Sequence, residues 1–137
     1  MSLPTIPPVD APAEKRIVIV DDSPAYGREL KRQIEALYPG RSTVEYYEDA
    51  FKAVAAMGPD LALLILDWEM PEFDGKKLLK VAVAKGLAKN KIVIISAHSA
   101  DTLHTEFGAT ECLAVLAKGE ERQREVLRMI LESVHRK

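Results

Sequence analysis

The sequence predicts an α/β fold in which a parallel sheet is covered by helices on both faces. The chain has 137 residues, the size of a single domain. Short runs of β-branched and aliphatic residues alternate along it with segments of helical periodicity. These runs are apolar at consecutive positions, as is typical of strands buried on both faces. Five such strands alternating with five helices therefore predict the parallel sheet.

Each predicted strand is followed by a helix signal. The predicted strands are Ile17–Val20, Thr43–Tyr47, Leu61–Leu66, Ile92–Ile95 and Leu113–Ala117. Ser23 and Pro24 supply an N-cap and a first-turn proline for the first helix, which ends before Pro39. This helix is predicted to carry its core stripe on Tyr26, Leu30, Ile34 and Leu37. The other predicted helices lie at about residues 50–57, 75–85, 100–107 and 120–135.

The first 14 residues differ from the rest of the chain. Residues 1–14 contain four of the eight prolines and little apolar material. We therefore expect a proline-rich, disordered or extended tail followed by one domain at residues 15–137. No later stretch is apolar for long enough to span a membrane, and the start lacks the core of a signal peptide.

Charge and cysteine content exclude several classes of protein. The net charge is −2 with both signs mixed along the chain, which argues against a nucleic-acid-binding surface. The single cysteine, Cys112, cannot form an internal disulfide. A reducing, cytoplasmic location is therefore expected, with Cys112 as a small buried apolar residue. His104 and His135 are interpreted as surface residues without a chemical role.

Polar residues stand where four of the apolar strands end. Asp21 and Asp22 follow the first strand, Asp67 the third, Ser96 the fourth and Lys118 the fifth. In open parallel sheets ligands bind beyond the carboxyl ends of the strands, at the point where strand order reverses. These side chains are therefore expected to converge on one site. Taken singly, the aspartates could cap helices and Ser96 could belong to a turn.

The predicted group of side chains has a definite chemistry. Two carboxylates 4 Å apart repel by about 4 kcal/mol at an effective dielectric constant near 20, so a cluster of three requires a proton or a cation. Oxygen-only ligands suit Mg²⁺, which retains waters for a phosphate-bearing ligand. A lysine and a hydroxyl can both bind phosphoryl oxygens. The set predicts phosphoryl transfer onto a carboxylate.

The spacing of these residues follows a recognisable pattern. Asp67 lies 45 residues after Asp22, Ser96 a further 29 and Lys118 a further 22. Asp67 is followed by Met70-Pro71 and Asp74-Gly75. In this order the motifs resemble the receiver domain of bacterial two-component response regulators, the family that includes CheY, over about residues 15–137. The resemblance implies a doubly wound, flavodoxin-like (CheY-like) sheet with strand order 2-1-3-4-5.

The resemblance also implies a role for each residue. Asp67 is then the phosphoacceptor for a sensor histidine kinase or a phosphotransfer protein, and Ser96 and Lys118 contact the phosphoryl group. Mg²⁺ or Mn²⁺ is held by Asp22, Asp67 and the backbone carbonyl of Glu69, and by Asp21 through water. Phosphorylation would switch binding to an output partner that the sequence does not identify. The chain is then no enzyme beyond self-catalysed phosphoryl acceptance and autodephosphorylation.

Three features depart from the family pattern. Gly119 follows Lys118 where the family has a proline after a cis bond, so we predict a trans bond with glycine absorbing the local geometry. Val115 occupies the switch position that usually carries an aromatic residue. Glu69 and His98 occupy two variable positions that the family uses to tune the lifetime of the phosphoaspartate, and His98 can titrate near neutral pH.

Two alternatives remain at this stage. A small Mg²⁺-dependent phosphohydrolase would use Asp67 as nucleophile and an acid two residues later as proton donor, and Glu69 stands there. A binding module that works without phosphorylation would be consistent with Val115 and Gly119. Turnover of phosphomonoesters identifies the first alternative, and failure to take up a phosphoryl group identifies the second.

Overall fold

Five parallel strands form the centre of the protein. The computed structural model describes residues 15–70, 75–97 and 112–136. The strands are β1 (Lys15–Val20), β2 (Ser42–Tyr47), β3 (Leu63–Asp67), β4 (Ile92–Ser96) and β5 (Ala114–Ala117). The helices in this part of the chain are α1 (Pro24–Leu37), α2 (Ala50–Ala56), α3 (Gly75–Ala84) and α4 (Glu121–Arg136), with a short 3₁₀ helix at Lys89–Lys91.

The strand order is β2-β1-β3-β4-β5, and every neighbouring pair is parallel. This confirms the predicted fold class and strand order. From β1 the chain passes first to β2 on one side and then back to β3 on the other. The carboxyl ends of β1 and β3 therefore flank the reversal point, where doubly wound sheets form a crevice.

The strands are buried on both faces, as their continuous apolar runs predict. Ile17 and Ile19 of β1 belong to a core cluster with residues of α1 and α4. Val18 and Val20 belong to a second cluster with residues of α2 and α3. Alternate side chains of one strand thus enter two different cores, so the strand needs apolar residues at every position.

Both ends of the third strand were predicted wrongly. The strand predicted at Leu61–Leu66 begins at Leu63 and includes Asp67 as its last residue. Leu61 is fully buried but precedes the strand, and its N–H donates to the carbonyl of Gly58 in a turn. An apolar run indicates buried residues, and here the buried residues extend before the first residue of the strand. The helix predicted at about residues 100–107 lies outside the described residues.

Two side chains were assigned to the wrong environment. Leu37 is 53% exposed, because it is the last residue of α1 and lies beyond the stripe formed by Leu30 and Ile34. His135 is buried, although it was predicted to lie on the surface. Its ring stacks on Tyr38 with a centroid separation of 3.7 Å, and its Nδ1 lies 2.7 Å from the carbonyl oxygen of Leu131.

Helix α1 approaches β2 closely at Gly27. A Cβ atom added there would lie 2.1 Å from Cε1 of Tyr46, well inside van der Waals contact. We expect Gly27→Ala to destabilise the protein by about 1–3 kcal/mol despite the better helix propensity of alanine, because the Tyr46 ring must move. Urea unfolding measures the change. The double variant with Tyr46→Ala should lose less than the sum of the two single changes, and equal or greater stability in Gly27→Ala would contradict the close packing.

Among the described residues, no helix combines the length and the apolarity that a membrane span requires.

Candidate functional site

The sheet brings the polar strand ends to one edge. Asp21 directly follows β1, Asp67 and Ser96 are the last residues of β3 and β4, and Lys118 directly follows β5. The backbone N–H of Lys118 donates to the carbonyl of Ser96, with an N–O distance of 2.6 Å. This hydrogen bond holds the carboxyl end of β5 against the carboxyl end of β4.

One lysine lies between two buried acids. The Nζ of Lys118 is 2.8 Å from Oδ2 of Asp21 and 3.7 Å from Oδ2 of Asp67. Asp21 is fully buried and Asp67 is 2% exposed. The resemblance paired Lys118 with Asp67, but in the structure it lies nearer to Asp21. The Nζ also lies 4.5 Å from the centre of the Tyr26 ring, whose face attracts a cation.

Burial and neighbouring charges shift the pKa values of Asp67 and Lys118. Burial, a hydrogen bond with Asp22 and the charge of Asp21 raise the pKa of Asp67 to about 8, against the opposing effects of Lys118 and the Glu69 backbone N–H. Burial lowers the pKa of Lys118, but the hydrogen bond to Asp21 and the charges of Asp21 and Asp67 outweigh it, and the net shift is upward. The single positive charge of Lys118 is thus too little to keep Asp67 ionised near neutral pH, while the lysine itself stays protonated.

The acid cluster suits a divalent cation. Asp21, Asp22 and Asp67 each offer a carboxylate oxygen, and these atoms lie within 4.8 Å of one another. All three ligand atoms are hard oxygen donors, which suits Mg²⁺ better than a metal that prefers nitrogen or sulfur. The raised pKa of Asp67 points the same way, because a bound cation would supply the charge that the cluster lacks.

Local structure at the start of α1 holds Asp21 in place. Its Oδ1 accepts the backbone N–H of Ser23 at 2.8 Å, and the Ser23 hydroxyl accepts the N–H of Tyr26 as the N-cap of α1. The backbone carbonyl of Asp21 accepts the hydroxyl of Tyr46 at 2.7 Å. Asp21 therefore supports the turn before α1 and also faces the site, while the cap of the helix itself is Ser23, as predicted.

The side chain of Glu69 takes a position that the sequence did not predict. The Ser96 hydroxyl donates to Oε2 of Glu69, and the Ala97 N–H donates to Oε1 at 2.9 Å. The backbone N–H of Glu69 donates to Oδ1 of Asp67 at 3.3 Å. Glu69 therefore links the ends of β3 and β4 through its carboxylate.

Two of the other predicted site residues, Val115 and Gly119, lie in the described part of the chain. Val115 is 8% exposed and belongs to the core cluster on the α2 and α3 face. Gly119 has a φ of +81°, and no described peptide bond is cis, so the predicted trans bond with glycine absorbing the geometry is confirmed. His98 lies outside the described residues. The role of the Glu69 backbone carbonyl as a metal ligand stays a prediction.

Three residues that contact the site were not predicted as site residues from the sequence. Tyr26 was assigned to the core stripe of α1, yet its ring also lies against Lys118. Tyr46 reaches Asp21 from β2, and Ala97 contributes only a backbone N–H. An aromatic residue in the first turn of α1, facing the sheet edge, was the one signal available for Tyr26.

Sequence comparison agrees with this fold. Residues 17–131 match the family described as "Response regulator receiver domain". The chain is 30% identical over 128 residues to protein-glutamate methylesterase/protein-glutamine glutaminase 3 of Geobacter sulfurreducens. It is 36% identical over 84 residues to protein-glutamate methylesterase/protein-glutamine glutaminase 5 of Myxococcus xanthus. These matches cover 89% and 59% of this chain but 32% and 23% of the relatives. The chain therefore spans a third or less of their length.

Solved structures show the same fold. Chemotaxis protein CheY4 of Vibrio cholerae is similar with a TM-score of 0.71 and 21% identity, over 89% of this chain and 99% of that one. The response regulator domain of Thermotoga maritima CheB is similar with a TM-score of 0.65 and 22% identity, over 90% and 96% of the two chains.

The sheet order and the acids at its reversal point define a receiver-type α/β domain. The family match covers most of the chain, from residue 17 to residue 131. The protein belongs to the response regulator receiver family of two-component systems, which confirms the resemblance seen in the sequence.

Proposed function

We propose that this receiver domain accepts a phosphoryl group on Asp67. The observation that carries the proposal is the position of the Asp67 carboxylate, 3.7 Å from the Lys118 ammonium and beside two further aspartates at the reversal point of the sheet. The carboxylate can act as nucleophile, while Lys118 can neutralise charge on the phosphoryl oxygens.

Phosphoryl transfer to Asp67 would form one P–O bond and break one P–N bond. An oxygen of the Asp67 carboxylate attacks phosphorus, the P–N bond of a phosphohistidine breaks, and the imidazole leaves with the electron pair and takes up a proton. The product is an acyl phosphate on Asp67. Attack of water on the phosphorus later releases inorganic phosphate and restores the carboxylate.

The acids of the site would hold the cofactor that this step requires. We propose Mg²⁺, or Mn²⁺ in its place, with Asp22 and Asp67 as ligands, Asp21 acting through water and the Glu69 backbone carbonyl completing the protein's share. When bound, the ion would neutralise the carboxylates and orient phosphoryl oxygens. The chain's own part is to keep the Lys118 ammonium beside the two buried acids.

The proposed partners follow from membership of the receiver family. The phosphoryl donor would be a sensor histidine kinase or a phosphotransfer protein, and phosphorylation would shift a two-state equilibrium that an output partner reads. We propose no activity for the chain beyond self-catalysed phosphoryl acceptance and autodephosphorylation. The esterase and glutaminase names belong to the curated relatives.

Incubation with acetyl phosphate and Mg²⁺ tests the proposal. The intact mass should increase by one phosphoryl group, because the attack of Asp67 displaces acetate from phosphorus. The increase should vanish in Asp67→Asn and when a chelator removes the metal. Glu48→Gln is a suitable control, since Glu48 is an exposed acid at the end of β2. Phosphoryl uptake that persists in Asp67→Asn would contradict Asp67 as the acceptor.

A turnover assay and the same mass measurement together separate the two alternatives. Sustained turnover of phosphomonoesters would support a phosphohydrolase, and no mass increase in the wild type would support a binding module independent of phosphorylation. The contacts of Glu69 disfavour the hydrolase, because its carboxylate binds Ser96 and Ala97 and is not free to act as proton donor.

A further inference from the structure

The Glu69 carboxylate is bound by two donors of the neighbouring strand end. The Ser96 hydroxyl donates to one carboxylate oxygen and the Ala97 backbone N–H donates to the other, at 2.9 Å. Ser96 is buried and is the last residue of β4, one residue beyond the partner of Asp67 in the β3–β4 ladder. The carboxylate is therefore fixed at both oxygens, unlike a side chain that only faces solvent.

A phosphoryl group on Asp67 would require donors in the same place. It carries three acceptor oxygens and close to two negative charges, and buried acceptors of this kind need donors with good geometry. The Lys118 ammonium lies 3.7 Å from the Asp67 carboxylate, and Ser96 and Ala97 lie at the end of the adjacent strand β4. Two anions cannot share one hydroxyl and one N–H at hydrogen-bond distance without strong repulsion.

We propose that the Glu69 carboxylate is an internal competitor that occupies the Ser96 and Ala97 donors before phosphorylation and must leave them when Asp67 is phosphorylated. The proposal rests on the proposed function, since it concerns the same site. It goes beyond a tuning of phosphoaspartate lifetime, because it assigns Glu69 a bound position in the unphosphorylated protein. Glu69 acts here as a positioning residue that sets how readily the two donors become available.

Three substitutions separate the effect of the length of the Glu69 side chain from the effect of its negative charge. Glu69→Asp keeps the negative charge but is one methylene shorter, so its carboxylate should no longer span both donors. Glu69→Ala removes both the charge and the contacts. Glu48→Gln removes one charge at the same edge of the sheet, from the exposed residue directly after β2. If reach is decisive, Glu69→Asp should behave like Glu69→Ala and Glu48→Gln like the wild type.

The first measurement needs neither metal nor phosphoryl donor. The amide proton of Ala97 should move upfield in Glu69→Asp and Glu69→Ala, because its charged acceptor is lost, and should not move in Glu48→Gln. Thermal unfolding checks that each variant is folded. An Ala97 resonance that is the same in all four proteins would overturn the proposal, whatever the phosphorylation assay gives.

The second measurement is the rate of phosphoryl uptake from acetyl phosphate with Mg²⁺. Uptake should be about tenfold faster in Glu69→Asp and Glu69→Ala than in the wild type, the equivalent of roughly one hydrogen bond to a charged group. Wild-type rates in both variants would overturn the competition while leaving Asp67 as acceptor intact. No uptake by any protein, including the wild type, would overturn the proposed function and the competition together.

Discussion

Lys118→Met should destabilise the metal-free protein by about 3–5 kcal/mol at neutral pH, the cost of removing one partner from a buried ion pair. The lysine Nζ lies 2.8 Å from Asp21 and 3.7 Å from Asp67, and both acids are almost completely buried. Methionine retains most of the apolar stem, so the loss should come mainly from leaving Asp21 without its ion-pair partner. Urea unfolding in the presence of a chelator measures it.

The matched control is Lys80→Met, since Lys80 is an exposed lysine on α3. Its effect should be within about 0.5 kcal/mol of zero, as for an ordinary surface substitution. Mg²⁺ should recover part of the loss in Lys118→Met, because the ion would supply positive charge to the same acids. Equal stability of the two lysine variants would show that Lys118 does not hold the acid cluster together.

Asp67 should make the metal-free protein less stable as the pH rises from about 4 to about 8. Its pKa is about 8 in the folded protein against 3.8 as the ordinary value. In this window the folded state keeps a proton that the unfolded state releases, so stability falls with pH by at most about 1.4 kcal/mol per pH unit. Above the folded-state pKa the contribution becomes constant.

Urea unfolding at a series of pH values, with a chelator present, checks this dependence. Asp67→Asn should remove that part of the decline and be more stable than the wild type at pH 8, whereas Glu48→Gln should retain the decline. Mg²⁺ should stabilise the wild type more at pH 8 than at pH 5. A wild-type stability that rises over the same interval, with no difference in Asp67→Asn, would contradict the raised pKa.

The two predictions describe one electrostatic arrangement. Burial and the neighbouring acids keep Asp67 protonated near neutral pH, and a protonated carboxyl is a poor nucleophile. Lys118 offsets only part of this effect because it lies nearer to Asp21. A divalent ion would therefore do more than bind the phosphoryl donor, since it would also favour the reactive form of the acceptor.

The apolar runs in the sequence were sufficient to predict the sheet and its functional edge. Each buried strand needs apolar residues on both faces, so its location and its polar last residue can be read locally. This is why Asp67, Ser96 and Lys118 were found from the sequence, as was the start of α1 at Ser23 and Pro24. The order of the strands came from the family resemblance, because local patterns do not specify which strands are neighbours.

The sequence by itself determined the elements, the edge at which the polar residues meet and the chemistry that those residue types can support. Only the tertiary structure decided which of them are in contact: Lys118 with Asp21, and the Glu69 carboxylate with Ser96 and Ala97. It also decided that His135 is buried against Tyr38. Contacts of this kind join residues far apart in the chain, and they depend on side-chain directions that no local pattern encodes.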